Sequence, residues 1–183
     1  MMNPSSDKNL LDVACGTGDI AKLYLDSVGK SAIITCVDPN EGMIRKGKEK
    51  LKGYKNLNWI IGSAEKLPFP DNFFDAVYSV TVLEECDAQK SIAEIKRVLK
   101  PGGVAGIVVR ALDAPQWWNI KVSDSVNKII SVPPQMVSPK GVADMSLYEK
   151  IKLANFKNIL SYPFWFTASS GNNSYIYDMY YGR

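Results

Sequence analysis

The stretch from Leu10 to Ala21 (LLDVACGTGDIA) ends an apolar run on an acid, Asp12, and follows it with a loop of small residues. Glycine lacks the Cβ that would hold a ligand away from the backbone. A loop that leads from a strand into a helix also aims backbone N–H groups and the positive helix end at whatever sits above it. A phosphate-binding loop needs a lysine after its last glycine, and Asp19 stands after Gly18 instead. A dinucleotide loop needs G-x-G-x-x-G/A, which Gly16-Thr17-Gly18-Asp19-Ile20-Ala21 satisfies. Asp38 follows about 20 residues after Gly18, where an acid takes ribose hydroxyls. The glycine pattern alone leaves a dinucleotide and a single nucleoside both open.

The chain has no histidine. That excludes Ser-His-Asp and Cys-His nucleophile systems and argues against a catalytic zinc or non-haem iron site. Three cysteines, Cys15, Cys36 and Cys86, match no zinc spacing and read as small reduced core residues. The net charge of +3 is too small to argue for nucleic acid. Arg45 to Lys55, the one basic cluster, is interrupted by Glu49 and fits a solvated helix face. No stretch approaches the roughly 20 apolar residues of a membrane span, and the first residues lack the pattern of a signal peptide. The expectation is a cytoplasmic protein.

Short β-branched, apolar runs alternate with helical spacing. Leu10 to Ala14, Ala32 to Val37, Leu57 to Ile61, Phe74 to Val80 and Val104 to Val109 read as strands buried on both faces. Asp19 to Val28, Glu41 to Leu51 and Ala88 to Leu99 read as helices, the last one stopped by Lys100-Pro101-Gly102-Gly103. The expected fold is α/β, a doubly wound and mostly parallel sheet in a single domain over 1–183. Its cofactor half runs from about 9 to 110. A variable substrate or lid segment covers 111–141, with a short helical stretch near Val122 to Ile130. A C-terminal helix at Met145 to Ala154 and an antiparallel hairpin, Phe156 to Phe166 with Ser174 to Tyr181, fill 142–183.

The residues around the loop separate the two ligands. Asp12 would crowd a pyrophosphate with like charge but could hold a cationic group. Gly62-Ser63-Ala64-Glu65, just past the third strand, is placed to meet a base ring. Leu67-Pro68-Phe69-Pro70-Asp71, Phe74-Asp75-Ala76-Val77 and Val98-Leu99-Lys100-Pro101-Gly102-Gly103 follow in order. With Asp38-Pro39-Asn40-Glu41-Gly42-Met43, this series resembles the class I S-adenosylmethionine-dependent methyltransferases, in particular the ubiquinone/menaquinone C-methyltransferase type. The resemblance runs from about Leu10 to Val109 and continues weakly beyond.

It implies S-adenosyl-L-methionine as cofactor. Asp12, Ala14, Cys15, Gly16, Thr17 and Gly18 would line its methionine end. Asp38 would accept both ribose hydroxyls, Pro39 and Met43 would press on the adenine, Ser63 and Ala64 would meet its edge, and Val80 and Thr81 would lie near the sulfonium. Read without the resemblance, Asp38 is a helix-capping acid and Met43 a core methionine. Ala14 replaces a usual first glycine, and Ser63 stands where an aspartate is common, which removes a charged acceptor for the adenine amino group. Nine residues precede Leu10, where family members usually carry covering helices. The site is therefore expected to be open on one side, to be covered by the Trp117-Trp118 segment, a second copy or another protein.

The implied reaction is in-line methyl transfer to a small-molecule acceptor, with apolar or aromatic character if Trp117 and Trp118 wall its pocket rather than cap the core edge. Such chemistry needs no metal. Glu84, Glu85 and Asp113 stand where a base could act, but each reads first as a surface or capping acid, and no catalytic residue is assigned. The alternatives are a methyltransferase-fold partner subunit with weak or no activity and an NAD-type oxidoreductase.

Overall fold

In the computed structural model the described residues are 8–28, 32–112, 123–126 and 137–162. Leu10, Leu11 and Val13 of β1 (Asn9–Val13) are buried, as a central parallel strand requires. The strand is flanked by β2 (Ile33–Asp38) and β4 (Phe74–Val80), with β3 (Leu57–Ile61) and β5 (Leu99–Val108) outside them, in the order β3-β2-β1-β4-β5 and parallel throughout. The helices α1 (Asp19–Val28), α2 (Glu41–Lys50), α3 (Ala88–Val98) and α4 (Ser146–Leu153) complete the described elements. Alternate strand residues face opposite layers. Leu10, Ile34, Cys36 and Tyr78 pack with Ala21 and Leu25 of α1. Leu11, Val13, Val37 and Val77 pack with Ile95 and Val98 of α3. This is the doubly wound sheet expected from the alternating pattern. Strand order reverses between β1 and β4, and open sheets of this kind take ligands beyond the carboxyl ends of the strands at that point.

The bounds of α1, β3 and β4 match the sequence reading to the residue, and the others shift by a residue or so, except at β5. There the expected stop at Lys100–Gly103 lies inside the strand. Leu99 pairs with Phe74, and the register then jumps so that Val104 pairs with Ala76. The four residues between bulge outward through Gly102, at φ +78°. Asp75, opposite the bulge, holds Lys100 Nζ at 2.7 Å. Residues 124–126 of the expected 122–130 helix are helical, and the rest of that stretch is not among the described residues. Residues 156–162, expected to open the hairpin, form no strand, and the hairpin beyond them lies outside the described residues, as do Trp117 and Trp118.

Trp59 of β3 wedges under the Ala14–Gly18 loop. A Cβ on Gly18 would stand 2.5 Å from its Cη2, and one on Gly47 of α2 would overlap the same ring and come within 3.2 Å of Thr17 O. Gly18 is therefore glycine for packing as well as for its φ of +78°. Helix propensity alone favours Gly47→Ala by about 1 kcal/mol. The clash opposes this, and overpacking costs about 1–3 kcal/mol. Gly47→Ala is expected to lower stability in urea unfolding, and Trp59→Phe in the same chain to recover part of the loss; a gain in stability from Gly47→Ala alone would show that the indole gives way freely.

Candidate functional site

The chain leaves β1 through Ala14, at φ 55°, and Gly16, also at φ 55°. A left-handed backbone costs alanine about 1 kcal/mol more than glycine, so Ala14 occupies the turn at some strain. The Cys15 N–H donates to Val37 O (3.0 Å) and the Gly18 N–H to Cys15 O (2.9 Å), which folds the loop back over the end of β2. The Gly16 N–H donates to Asp38 Oδ2 at 2.9 Å. On its other side Gly16 faces open space: a Cβ built there meets nothing within 4 Å. Gly16 and Gly18 thus divide the motif. One leaves room above the loop, and the other admits Trp59 below it.

Asp38 ends β2 and is 7% exposed. Its Oδ1 accepts the Asn40 N–H at 2.8 Å while Oδ2 holds Gly16. The helix-capping role open to it from sequence falls instead to Asn40, whose Oδ1 accepts the N–H groups of Gly42 (2.9 Å) and Met43 (3.2 Å). An asparagine just before a helix is the signal that identifies this cap. Met43 is 39% exposed and so is not a core methionine; Ile44 takes that place. Pro39 is exposed beside it, which leaves two apolar groups uncovered past the end of β2.

Asp12 is 3% exposed and lies in register between Cys36 of β2 and Tyr78 of β4. Its Oδ2 and the Tyr78 hydroxyl are both buried without a hydrogen-bond partner among the described residues. Burial pushes the Asp12 carboxyl up to about 7; the nearby Tyr78 hydroxyl opposes the rise and the charge of Asp38 adds to it. A carboxyl so placed wants either a proton or a cation.

The Gly62 N–H donates to Asp38 O at 3.1 Å, which sets residues 62–65 against the end of β2. Ser63 is exposed and its Oγ accepts the Glu65 N–H at 3.2 Å, whereas the Ala64 side chain sits in the α3-side core. Val80 and Thr81 are half-buried at the end of β4. Thr81 takes φ 56°, an outlier for a β-branched residue and one that tends to persist at functional positions.

Of the candidate bases, Glu84 is not a surface acid. It is 1% exposed, its Oε1 accepts the Arg110 N–H (2.8 Å) and Nε–H (3.1 Å), and its Oε2 is buried without a partner among the described residues. Glu85 has a largely exposed side chain, 3.8 Å from Arg110 Nη2. Asp113 lies outside the described residues. The structure therefore brings Asp12, the 14–18 loop, Asp38 and the 62–65 turn to one end of the sheet, with Tyr78, Asn40 and Arg110, the partner of Glu84, added to the residues singled out from sequence. Among the described residues no helix is long and apolar enough to cross a membrane.

A family model described as "Methyltransferase domain" matches residues 11–107 of the chain. The ubiquinone/menaquinone biosynthesis C-methyltransferase of Francisella tularensis subsp. novicida is 43% identical over 99 residues, covering 52% of this chain and 40% of that protein. The chain thus spans about 40% of the length of that relative. Among solved structures, the cyclase SpnF is 26% identical with a TM-score of 0.59, over 81% of this chain and 50% of that one. A SAM-dependent methyltransferase from Aquifex aeolicus, 22% identical, shares the fold at a TM-score of 0.61, over 84% of this chain and 74% of that one.

With a folded value of about 7 against 3.8 in a free carboxyl, Asp12 holds extra protons in the folded state between those pH values. Stability should therefore fall as pH rises from about 4 to 7. Asp12→Asn is expected to remove that slope and to raise stability at pH 7.5 by on the order of 1–3 kcal/mol, with little change at pH 4. Urea melts across this range would show it; parallel pH profiles for both proteins would mean that Asp12 ionises freely in the fold.

Proposed function

The chain belongs to the methyltransferase-domain family of class I S-adenosylmethionine-dependent enzymes, and on that premise we propose that it transfers the methyl group of S-adenosylmethionine to a small-molecule acceptor in the cytoplasm. The observation that carries the reading is the open space over Gly16, whose N–H is held by the Asp38 carboxylate, together with the buried, unpartnered Asp12 Oδ2 on the strand that leads into this loop. The cofactor supplies the chemistry, a methyl group already activated on a sulfonium.

The chain's own residues bind and align. Each Asp38 oxygen holds one backbone N–H and keeps a further lone pair, so the carboxylate can accept two ribose hydroxyls without releasing the loop. Asp12 fits the ammonium of the amino-acid tail, because a cation stabilises the ionised form that burial opposes. Gly16 admits the ligand's backbone side, with Ala14, Cys15, Thr17 and Gly18 shaping the loop. Exposed Pro39 and Met43 suit the faces of an adenine ring. Ser63 and the backbone of Ala64 suit its edge. Val80 and the strained Thr81 would border the methyl group. In-line displacement gains its rate from alignment and from exclusion of water rather than from a strong base. The Glu84–Arg110 pair is already mutually satisfied at Oε1, and no proton-transfer role is assigned to it. The presence of a cyclase on the same fold makes the site, not the fold, the basis for this reading.

S-adenosylhomocysteine is expected to raise the melting temperature of the chain, and NAD to leave it unchanged; at 100 times its dissociation constant the ligand adds about 2.7 kcal/mol. Stabilisation by NAD alone would sink the reading. Asp38→Ala should weaken S-adenosylhomocysteine by roughly 1.5–3 kcal/mol in calorimetry. Because Asp38 also holds two backbone N–H groups, it should lower the stability of the ligand-free protein as well, by about 1–3 kcal/mol.

A further inference from the structure

Two buried oxygens face each other across β1 and β4 at the point where strand order reverses. Asp12 and Tyr78 are direct register partners on adjacent strands, so their side chains leave the sheet on the same face, toward α1. Asp12 Oδ2 and Tyr78 Oη are each buried and each lack a partner among the described residues. A buried hydroxyl left unpaired costs stability, and a phenylalanine here would fill the same apolar layer of Leu10, Ala21, Leu25 and Ile34 without that cost. Nothing in the packing asks for the hydroxyl. The acid beside it does.

The polar and charged side chains that act on Asp12 are Tyr78 and Asp38. From β2 it meets Cys36 and the charge of Asp38, and from its own strand end Cys15 lies close. Of the α1 residues that pack into this layer, Ile20, Ala21 and Leu25 are apolar and Tyr24 is half-buried, and the Lys22 ammonium of that helix is paired with Asp26. Lys50 of α2 is paired with Asp19. The Tyr78 O–H, on the register partner of Asp12, is placed to donate to an ionised carboxylate there.

We propose that Tyr78 is a positioning residue for the cofactor site: its hydroxyl donates to the Asp12 carboxylate when that carboxylate takes the cation of the bound ligand, fixing it beneath the Ala14–Gly18 loop. The inference rests on the reading of Asp12 as the group that receives the ligand's ammonium. It makes Tyr78 part of recognition although the residue lies one layer beneath the ligand. It also couples binding to pH, since the carboxylate must ionise before it can hold the cation, and the tyrosine donor makes that ionisation easier.

The test is Tyr78→Phe, with calorimetric binding of S-adenosylhomocysteine from pH 5.5 to 8.5 and of 5′-methylthioadenosine, which lacks the amino-acid tail. In the wild-type chain, affinity for S-adenosylhomocysteine should climb with pH around 7, and that for the tail-less nucleoside should stay flat. In Tyr78→Phe, S-adenosylhomocysteine should bind about tenfold more weakly at pH 7, with the rise displaced to higher pH. The tail-less nucleoside should bind as before, and the ligand-free melting temperature should hold or increase. A merely structural hydroxyl would instead lower the melting temperature and leave the pH profile in place, which would overturn the inference. Unchanged affinity and an unchanged profile would also overturn it, with the cofactor reading intact. Failure of both ligands to bind the wild-type chain at any pH would overturn the cofactor reading and this inference together.

Discussion

The Asp38 carboxylate ties the loop after β1 to the turn into α2. Parallel pairing of β1 with β2 sets Val13 level with Val37, so the acid that ends β2 stands beside the chain as it turns away from β1. One oxygen then takes the Gly16 N–H and the other the Asn40 N–H. The first bond holds the small-residue loop in its left-handed turn, and the second leads the chain into the Asn40 cap that starts α2. The turn is thus fixed before any ligand arrives. Ordering a loop at the moment of binding would otherwise subtract from affinity. A carboxylate does this better than an amide, because all its oxygen lone pairs accept and some remain for a ligand after both N–H groups are held.

A second constraint acts from below. Trp59 on β3 reaches under the loop to Gly18 and across to Gly47 on α2, so the loop, the start of α1 and the middle of α2 close around one indole. The letter pattern G-x-G presents the two glycines as equivalent. In the fold they are not, since only Gly16 has empty space where its side chain would be. Nucleotide-loop patterns are commonly read as ligand contacts throughout, whereas here half of the requirement is set by how closely an aromatic ring approaches the backbone.

What was legible in the sequence follows the range of the forces involved. A strand buried on both faces must be nearly all apolar, and so β4 could be placed to the residue; β3 was equally legible from its apolar run, but as the edge strand it leaves Asn58 and Ile61 exposed rather than buried on both faces. Asp12, Asp38 and the loop could be brought together because a doubly wound sheet gathers the carboxyl ends of its strands. The bulge in β5 could not, because it depends on a register jump against Phe74 and on the ion pair across it from Asp75 to Lys100. Nor could the burial of Glu84, which depends on the backbone of Arg110 and on the chain at Gly141 closing against it. The exposure of Met43 is set locally: the Asn40 cap starts α2 at Glu41, and the helix phase that follows turns Ile44 inward and Met43 out, which the apolar character of both residues does not distinguish.

Asp12 and Asp38 show how one fold treats two buried acids differently. Asp38 is satisfied by backbone N–H groups, so it serves the architecture even without a ligand. Asp12 has a buried oxygen with no partner, sits between apolar or weakly polar neighbours, and is pushed up to about 7 by that burial. An asparagine, or an apolar residue, would relieve the fold at this position. Natural sequences carry such local conflicts chiefly where function requires them, and the conflict here has a definite sign: it is relieved by positive charge and worsened by negative. A pyrophosphate above the loop would deepen it, whereas the ammonium of an amino-acid tail would resolve it. The energetic defect in the ligand-free protein therefore carries information that the glycine motif lacks, because it selects between the two nucleotide ligands that the motif alone leaves equal.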